Sequence, residues 1–276
     1  IKDSKGRLRV VLLMRPDIFN SLGLQNQNNK IRDNSVLLDW RTTYSSYRNS
    51  AIFMMADKLL SSQQEIRLRK GEAWDYYFPY NTTSVKETHD NPTSFIQFLR
   101  YSLYRPRDIV TMLTILKENF IEQNKNPSLV FSEKDFNHAD FKRKLSEYLL
   151  GEVKDQMSFY YSFSDYEVFL KFFEFLNGTY KFTYEEYIEA YLDLSRFISE
   201  NEMEKPAFCE TADKFLQFLY DLNILCYVED AGDEILFRWS FRERDYSNIS
   251  PKVKTHKRYE IHYGFSKALN LGKRVF

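Results

Sequence analysis

The feature that most constrains the fold is a run of five consecutive apolar residues, Val10–Met14, which leads directly into an Arg-Pro-Asp loop at residues 15–17. The run shows no period-two alternation, so we expect both of its faces to be covered, as in the middle of a parallel sheet between helices. A second short run, Val36–Leu38, repeats the pattern and ends at Asp39. The two runs therefore predict buried strands that each deliver a polar loop.

Two central strands cannot form a sheet by themselves, and no later segment has the composition of a partner strand. The sequence also opens on Ile1 rather than on a methionine. We therefore interpret residues 1–62 as the end of an α/β domain whose earlier part lies outside this sequence. The alternative interpretation is an isolated pair of strands that caps a helical domain.

The composition predicts a folded and mainly helical chain. The 276 residues include 24 Phe and 20 Tyr, which supply large buried anchors, but only 8 Gly and 7 Pro. The two cysteines, Cys209 and Cys226, provide no disulfide framework, so we expect a reducing, cytoplasmic location. No apolar run approaches the roughly 20 residues that span a bilayer, and we expect no membrane partner.

Charge is segregated along the chain, although Lys and Arg together equal Asp and Glu at 39 each. Residues 1–131 carry 19 basic and 13 acidic side chains, residues 132–234 carry 10 and 23, and residues 235–276 carry 10 and 3. This asymmetry predicts one of two arrangements. Either the basic tail folds over the acidic middle of the same chain, or the tail offers a contact surface for a polyanion.

The second half of the chain has a diagnostic order of predicted elements. Helices at residues 166–176, 184–198 and 206–222 are accompanied by a short strand at 180–183. A hairpin follows, with strands at 224–229 and 235–241 on either side of a turn that contains Gly232. Helix, strand, two helices and a two-stranded wing form the layout of a winged-helix domain. We assign the domains as 1–62, 63–160 and 161–276.

Two arginine-containing loops are candidate anion sites. Arg15 would lie at the carboxyl end of a strand, where open α/β sheets bind their ligands, and a guanidinium suits phosphate oxygens. Arg105 and Arg107 flank Pro106 at the start of a predicted helix, whose positive end also favours an anion. The alternatives remain open. Arg15 would then pair with Asp17 or Asp39 and hold the loop, and the Arg-Pro-Arg segment would be a helix start with solvated arginines.

The sequence lacks the common catalytic motifs. It contains no GxSxG, HExxH or Walker-type GxxxxGK[ST] pattern, and its four histidines show no metal-binding spacing. We therefore expect no catalytic residue, no bound metal and no independent catalysis by this chain.

Basic residues of the wing and tail are candidates for nucleic-acid contact. The third helix of the predicted winged helix carries Glu210, Asp213 and Asp221 against Lys214, so it would repel a phosphate backbone. Contacts by the wing and tail would give affinity without sequence specificity. The candidates are Arg238, Arg242, Arg244, Lys252, Lys254, Lys257 and Arg258.

Four short motifs together resemble the second half of a bacterial P-loop ATPase family, the FunZ-type proteins, which are relatives of the STAND and AAA+ ATPases. The motifs are Val10–Phe19, Asp33–Trp40, Arg105–Ile109 and His262–Leu271. The resemblance covers nearly the whole chain. It implies a preceding half that holds the Walker A and Walker B segments and supplies Mg for bound ATP.

The resemblance also implies roles for individual residues. Arg15 would sense the terminal phosphate, Arg107 would be the sensor of a lid helix, Pro106 would pack near the base, and Asp39 would end a neighbouring strand. The implied fold is mainly α, of α+β type: the end of an α/β P-loop domain, a helical lid bundle and a C-terminal winged helix. We expect a nucleotide-dependent switch that forms oligomers in the full-length protein, with phage defence or DNA maintenance as its setting.

Two competing functions remain open at this stage. The first is a non-enzymatic winged-helix module that binds duplex DNA through the basic tail. The second is a protein-interaction module in which an aromatic surface mediates assembly and neither nucleotide nor DNA binds.

Overall fold

Helices make up most of the regular structure of this chain. The computed structural model describes residues 10–14, 18–19, 22–62, 64, 68–81, 93–123, 130–232, 234–245, 248 and 250–272. Within these ranges the α-helices are α1 (Gln27–Asn34), α2 (Ala51–Ser61), α3 (Glu72–Tyr77), α4 (Ser94–Arg100), α5 (Pro106–Gln123), α6 (Glu133–Phe136), α7 (Ala139–Met157), α8 (Phe163–Phe175), α9 (Tyr184–Glu200), α10 (Ala212–Asp221) and α11 (Ser240–Glu243).

The chain forms two compact units. The smaller unit comprises Ile1–Leu38 and Glu243–Pro251, and it contains α1. The larger unit comprises Asp39–Arg242 and Lys252–Phe276, and it holds helices α2 to α10 and the whole sheet. Both the helical bundle and the sheet therefore belong to the larger unit.

Side-chain caps explain where several helices begin. Ser162 and Thr183 each accept a hydrogen bond from the backbone N–H of the residue three positions on, Asp165 and Glu186, at 3.2 Å. The carboxylate of each acidic residue accepts the backbone N–H of the cap in return, at 2.8 and 2.7 Å. These capping boxes satisfy backbone donors that a helix start otherwise leaves unpaired. They fix the starts of α8 and α9.

The sheet contains four short antiparallel strands, β1 (Lys181–Phe182), β2 (Leu225–Ala231), β3 (Glu234–Arg238) and β4 (Arg258–Ile261). Their order across the sheet is β1-β4-β2-β3, so the last strand of the sequence lies between the first two. Phe182 pairs with Tyr259, and Leu225 pairs with Ile261. The hairpin predicted from the sequence is present as β2 and β3. Strand β4, however, was not predicted.

Aromatic side chains form much of the core of the larger unit. Fully buried rings include Trp74 and Phe98 in the N-terminal helices and Phe172 and Phe215 in the C-terminal ones. Many of them meet edge to face, as Phe172 and Phe215 do at 4.9 Å between ring centroids and 90° between planes. Such contacts add stability beyond the burial of area. The abundance of Phe and Tyr is thus used in packing.

The two strands predicted near the N-terminus are not strands in the structure. Val10–Met14 and Val36–Leu38 adopt no regular structure, and Val11, Leu13 and Val36 are 85%, 90% and 84% exposed. A strand is stable only when a neighbouring strand satisfies its backbone hydrogen bonds. The strands that the structure describes pair only with one another. The two apolar runs therefore do not join the sheet that the structure describes.

Residues 132–153 have apolar side chains at the spacing of one long helix, but the structure divides this segment into two helices. Helix α6 ends at Phe136, and α7 starts at Ala139, because His138 has extended backbone and its side chain accepts the N–H of Asp140. The apolar spacing continues across the break. Periodicity alone could not reveal it.

Core truncation has a clear expected effect. Replacing Phe172 with Ala removes a ring that is 0% exposed and leaves a cavity beside Tyr187 and Phe215. We expect the free energy of unfolding to fall by about 3–5 kcal/mol. Urea denaturation followed by far-UV circular dichroism would measure it. Leu192→Ala, at a residue 54% exposed on α9, is the control and should change stability by less than about 0.5 kcal/mol.

Candidate functional site

A buried carboxylate organises the start of helix α5. Asp108 is 0% exposed and lies in the first turn of the helix. Its Oδ2 accepts the backbone N–H of Leu103 at 2.8 Å, and its Oδ1 accepts the Nε of Arg105 at 3.0 Å and the hydroxyl of Tyr148 at 3.1 Å. A negative charge at a helix N-terminus is also favoured by the helix dipole. The loop before α5 is thereby fixed to the helix.

Two arginines meet one carboxylate at the same helix end. Pro106 is the first residue of α5, where its missing N–H costs no hydrogen bond. Arg105 and Arg107 contact the same oxygen, Oε2 of Glu152 on α7, at 3.2 and 3.0 Å through their Nη1 atoms. The Arg105 side chain is 28% exposed, whereas that of Arg107 is 62% exposed. Arg107 therefore keeps most of its donors open to solvent.

A third arginine lies between two tyrosines beside this loop. The guanidinium of Arg242 is 4.8 Å from the ring centroid of Tyr104 and 5.4 Å from that of Tyr44, and it donates hydrogen bonds to both hydroxyls. Burial raises the pKa of Tyr104, so the hydroxyl stays protonated. Tyr104 itself has a positive φ of 56°. This left-handed backbone is rare for a bulky residue and turns the chain sharply just before α5.

Asp39 joins the same network through an arginine. The Nε of Arg41 donates to Oδ1 of Asp39 at 2.8 Å, and Nη1 of Arg41 donates to the backbone carbonyl of Arg242 at 2.8 Å. The hydrogen bond from Arg41 lowers the pKa of Asp39. Asp39 is thus held as a charged partner of Arg41, next to the tyrosine-bound arginine.

A buried histidine completes the region. The Nε2 of His262 lies 3.2 Å from the backbone carbonyl of Ser102, and its Nδ1 accepts the backbone N–H of Gly264 at 3.2 Å. The ring is 3% exposed and meets Trp239 edge to face at 5.2 Å. Both ring nitrogens are used only if the neutral imidazole carries its proton on Nε2. Burial lowers the pKa of His262 to about 4, in agreement with that neutral form.

The turn that carries His262 requires a glycine. A Cβ at Gly264 would lie 2.3 Å from Cδ1 of Leu149 on α7 and 3.0 Å from Nδ1 of His262. Distances this short do not occur between real atoms, so the backbone can approach α7 only without a side chain. Gly264 therefore permits the turn after β4 to lie against the helical bundle.

The predicted site residues fall into two groups. Pro106, Arg107, Asp39 and Arg242 lie in the network around the start of α5. Arg15 lies outside the residues that the structure describes.

The other predicted basic residues belong to strands β3 and β4 or to the segment between these two strands. Arg238 and Lys254 both pair with Glu229, at 3.1 and 2.6 Å, and Arg258 pairs with Asp230 at 2.8 Å. Of the remaining three, Lys252 is exposed, and Arg244 and Lys257 are half-buried.

Sequence reasoning missed the residues that join the network together. Asp108 was not among the predicted site residues, although its i,i+3 spacing from Arg105 is a usable signal of an ion pair. Glu152 and His262 carried no such signal, because their partners lie 47 and 160 positions away. Tyr104 carried no signal either, because its partner Arg242 lies 138 positions away.

Comparisons with known proteins identify no relative. No family model, no curated protein and no solved structure matches this chain. Within the described ranges, no group of three or more His, Cys, Asp or Glu side chains could hold a metal ion. No helix found there has the length and apolar character needed to cross a membrane.

The buried histidine predicts a pH dependence of stability. The unfolded chain binds a proton at His262 near pH 6.5, whereas the folded chain binds one only near pH 4. The contribution of neutral His262 to the free energy of unfolding is therefore complete above about pH 6.5. As the pH falls towards 4, up to about 3 kcal/mol of it is lost. Chemical denaturation between pH 4 and 7 would measure it.

A matched pair of variants assigns that slope to one residue. His262→Gln should lower stability at pH 7 and flatten the slope between pH 4 and 6.5. His256→Gln, at an exposed histidine, should leave the slope as it is. Equal slopes in the His262 variant and the unmodified chain would contradict the assignment.

Proposed function

We propose that this chain is the sensor, lid and winged-helix portion of a P-loop ATPase that acts as a nucleotide-dependent switch. In this proposal α5 is the lid helix, and ATP with its Mg ion is held by Walker elements that this chain does not contain. The setting would be cytoplasmic and the full-length protein an oligomer. The observation that carries the proposal is the exposed Arg107 at the rigid start of α5.

The start of α5 suits a terminal phosphate in two ways. The guanidinium of Arg107 offers several donors in a fixed geometry, and the N-terminus of an 18-residue helix adds a favourable partial charge. Because buried Asp108 holds Arg105 and Leu103, an anion bound by Arg107 would act on a fixed helix end. Glu152 pairs with Arg107 and would compete with that anion. Phosphate binding would then release Glu152.

The proposed roles of the other sensor residues rest on the resemblance to the FunZ-type ATPases. Arg15 would contact the same phosphate from the sheet side, Pro106 would pack near the base, and Asp39 would end the neighbouring strand. The apolar residues Val10–Met14 and Val36–Leu38 would pair with the strands of the Walker-containing part. Their exposure in this chain supports that role, since an apolar strand that pairs elsewhere leaves its faces uncovered here.

The C-terminal elements support a winged-helix assignment. Helix α8, strand β1, helices α9 and α10 and the hairpin of β2 and β3 follow the order of that domain. Its contacts with the loop before α5 provide a route for the signal: His262 follows β4 and reaches Ser102, and Arg242 follows β3 and reaches Tyr104. A nucleotide would drive the switch only if it binds two arrangements of this joint with different affinity.

Duplex DNA is the less supported partner. Arg238, Lys254 and Arg258 are paired with acidic residues of β2, which supports the arrangement in which the basic tail folds over its own chain. Each pair would have to break before the cation could neutralise a phosphate. We therefore propose a protein, rather than duplex DNA, as the partner. Phage defence or DNA maintenance remains the biological setting that we propose by analogy.

The sensor role predicts the effect of Arg107→Ala. In the full-length protein the variant should lose one charge-assisted interaction with the terminal phosphate, which weakens ATP affinity or turnover by about tenfold or more. Binding of a fluorescent ATP analogue and steady-state phosphate release would measure the two effects. Glu152→Gln should act in the opposite direction on affinity, because it removes the charge that competes for Arg107.

Arg143 offers the matched control for that experiment. It is an exposed arginine that pairs with Glu147 on α7, four residues away, and it has no role in the proposal. Arg143→Ala should leave affinity and turnover unchanged. If Arg107→Ala behaves like Arg143→Ala, the sensor assignment is wrong.

The folded basic tail predicts weak binding to duplex DNA. Fluorescence anisotropy of a labelled duplex across a salt series would test it, with a variant in which Lys252, Lys254, Lys257 and Arg258 are changed to Glu. We expect little binding by either protein at low salt. Tight binding by the unmodified chain, with an affinity that falls steeply with salt and is lost in the variant, would instead establish a DNA-binding surface.

A further inference from the structure

The sheet has one unpaired edge of appreciable length. Strand β3 pairs with β2 on one side, and within the described residues no strand pairs with its other side. The opposite edge is β1, which has only two residues, one of them the exposed Lys181. A short strand and an edge lysine both protect a sheet against pairing with another chain. Strand β3 has five residues and neither of these protections.

The side chains of β3 add apolar surface at this edge. Its three central residues are Ile235, Leu236 and Phe237. Ile235 is 58% exposed, and the other two are half-buried. An exposed apolar edge strand without proline or lysine favours the addition of a further strand. Strand β3 is therefore a candidate surface for strand addition.

Hydrogen bonding within the sheet determines which backbone groups of β3 point outward. His262 donates its N–H to the carbonyl of Ile224 at 2.8 Å, in continuation of the pairing between β4 and β2. Because the backbone groups of successive residues point to opposite sides of a strand, the even-numbered residues of β2 bond to β4 and the odd-numbered residues bond to β3. Leu236 lies opposite an odd-numbered residue of β2 and so bonds to that strand. The N–H and C=O groups of Ile235 and Phe237 therefore point to the unpaired edge.

These two residues complement each other when two copies of β3 meet. In an antiparallel pair, two residues that exchange both of their hydrogen bonds lie directly opposite each other. When two β3 strands are centred on Leu236, Ile235 of each copy lies opposite Phe237 of the other copy, and the outward backbone groups of both residues are paired. The same register places apolar residues opposite each other at every central position, since Leu236 lies opposite its own counterpart.

The ends of β3 complement each other in the same register. The strand begins with a glutamate at position 234 and ends with an arginine at position 238. In the antiparallel pair centred on Leu236, each glutamate position lies opposite the arginine position of the other copy, and opposite charges across two strands are favourable. A shift of the register would lose this match. One register therefore satisfies the hydrogen bonds, the apolar contacts and the charges together.

We propose that this chain forms a two-fold symmetric dimer in which the β3 strands of two copies pair antiparallel about Leu236 and join the two sheets. A two-fold axis is the commonest symmetry of homodimers, and it requires a self-complementary surface of this kind. Five residues on each side make a small interface, so we expect the dimer to dissociate on dilution. The pairing involves neither Arg107 nor the start of α5, so it is testable separately from nucleotide sensing.

Sedimentation velocity of the 276-residue chain across roughly 1–200 µM tests the pairing, because a small interface associates within this range. Without nucleotide, the weight-average mass should rise from that of one chain towards that of two. Ile235→Pro removes an outward N–H but no hydrogen bond to β2, and it should weaken dimerisation by about tenfold or more. Ile235→Val keeps the N–H and a β-branched side chain and should dimerise like the unmodified chain.

Two outcomes of this measurement overturn the proposal: a monomer at every concentration, and a dimer that Ile235→Pro leaves intact. Far-UV circular dichroism checks that the proline variant is folded. Arg107→Ala should dimerise like the unmodified chain, so an error in the sensor assignment would not appear as a failure of pairing.

Cysteine cross-linking tests the register itself. Leu236→Cys places two thiols opposite each other at the two-fold axis, where the roughly 4.5 Å between the Cα atoms of a non-hydrogen-bonded pair allows a disulfide. Ile235→Cys lies opposite Phe237 instead, so its two thiols are too far apart. Under mild oxidation, non-reducing electrophoresis should show a covalent dimer forming about tenfold faster or more in the first variant. Equal rates, or no cross-link in either variant, overturn the proposal. The native Cys209 and Cys226 are both buried.

Discussion

The buried carboxylate of Asp108 is the interaction on which the rest of this region depends. It satisfies the backbone N–H of Leu103, the guanidinium of Arg105 and the hydroxyl of Tyr148 at once. Removing it would leave a half-buried cation and a buried backbone donor without their main partner, and such a loss costs several kcal/mol. The direction of α5, and with it the position of Arg107, rests on this one side chain.

The loop before α5 also contacts segments that follow strands of the sheet. Fixing the start of α5 therefore has consequences beyond that helix. Ser102 offers its carbonyl to His262, and Tyr104 receives Arg242, so segments that follow two strands of the sheet reach the same few residues. Polar groups in a tightly packed region have few acceptable arrangements, since an unpaired group is expensive. A change at the start of α5 would therefore be met by a discrete rearrangement rather than by gradual yielding. This property is what the proposed switch requires.

Local patterns predict several helices and the hairpin of this chain, whereas the errors about its strands share one cause. The helices of the second half and the hairpin of β2 and β3 follow from apolar spacing, capping residues and a turn at Gly232. Strand β4 was missed because Arg258–Ile261 is short and lies in a segment whose basic residues dominate its composition. The failure of Val10–Met14 to form a strand has the same origin. Whether an extended segment becomes a strand depends on a neighbour that its own residues do not specify.

The candidate site was harder to predict than the fold for a related physical reason. Arg107 and Pro106 were identified because a helix start has a local signature, and Asp39 and Arg242 were named for other roles. What joins them is buried hydrogen bonding over long sequence separations, as in the contact of His262 with Ser102. Lys142 makes the same point in reverse: within a run of charged residues it resembles a solvated lysine, but the fold places its Nζ over the rings of Tyr101 and Phe136. The surroundings of such a side chain exist only once the chain has folded, so local sequence does not reveal them.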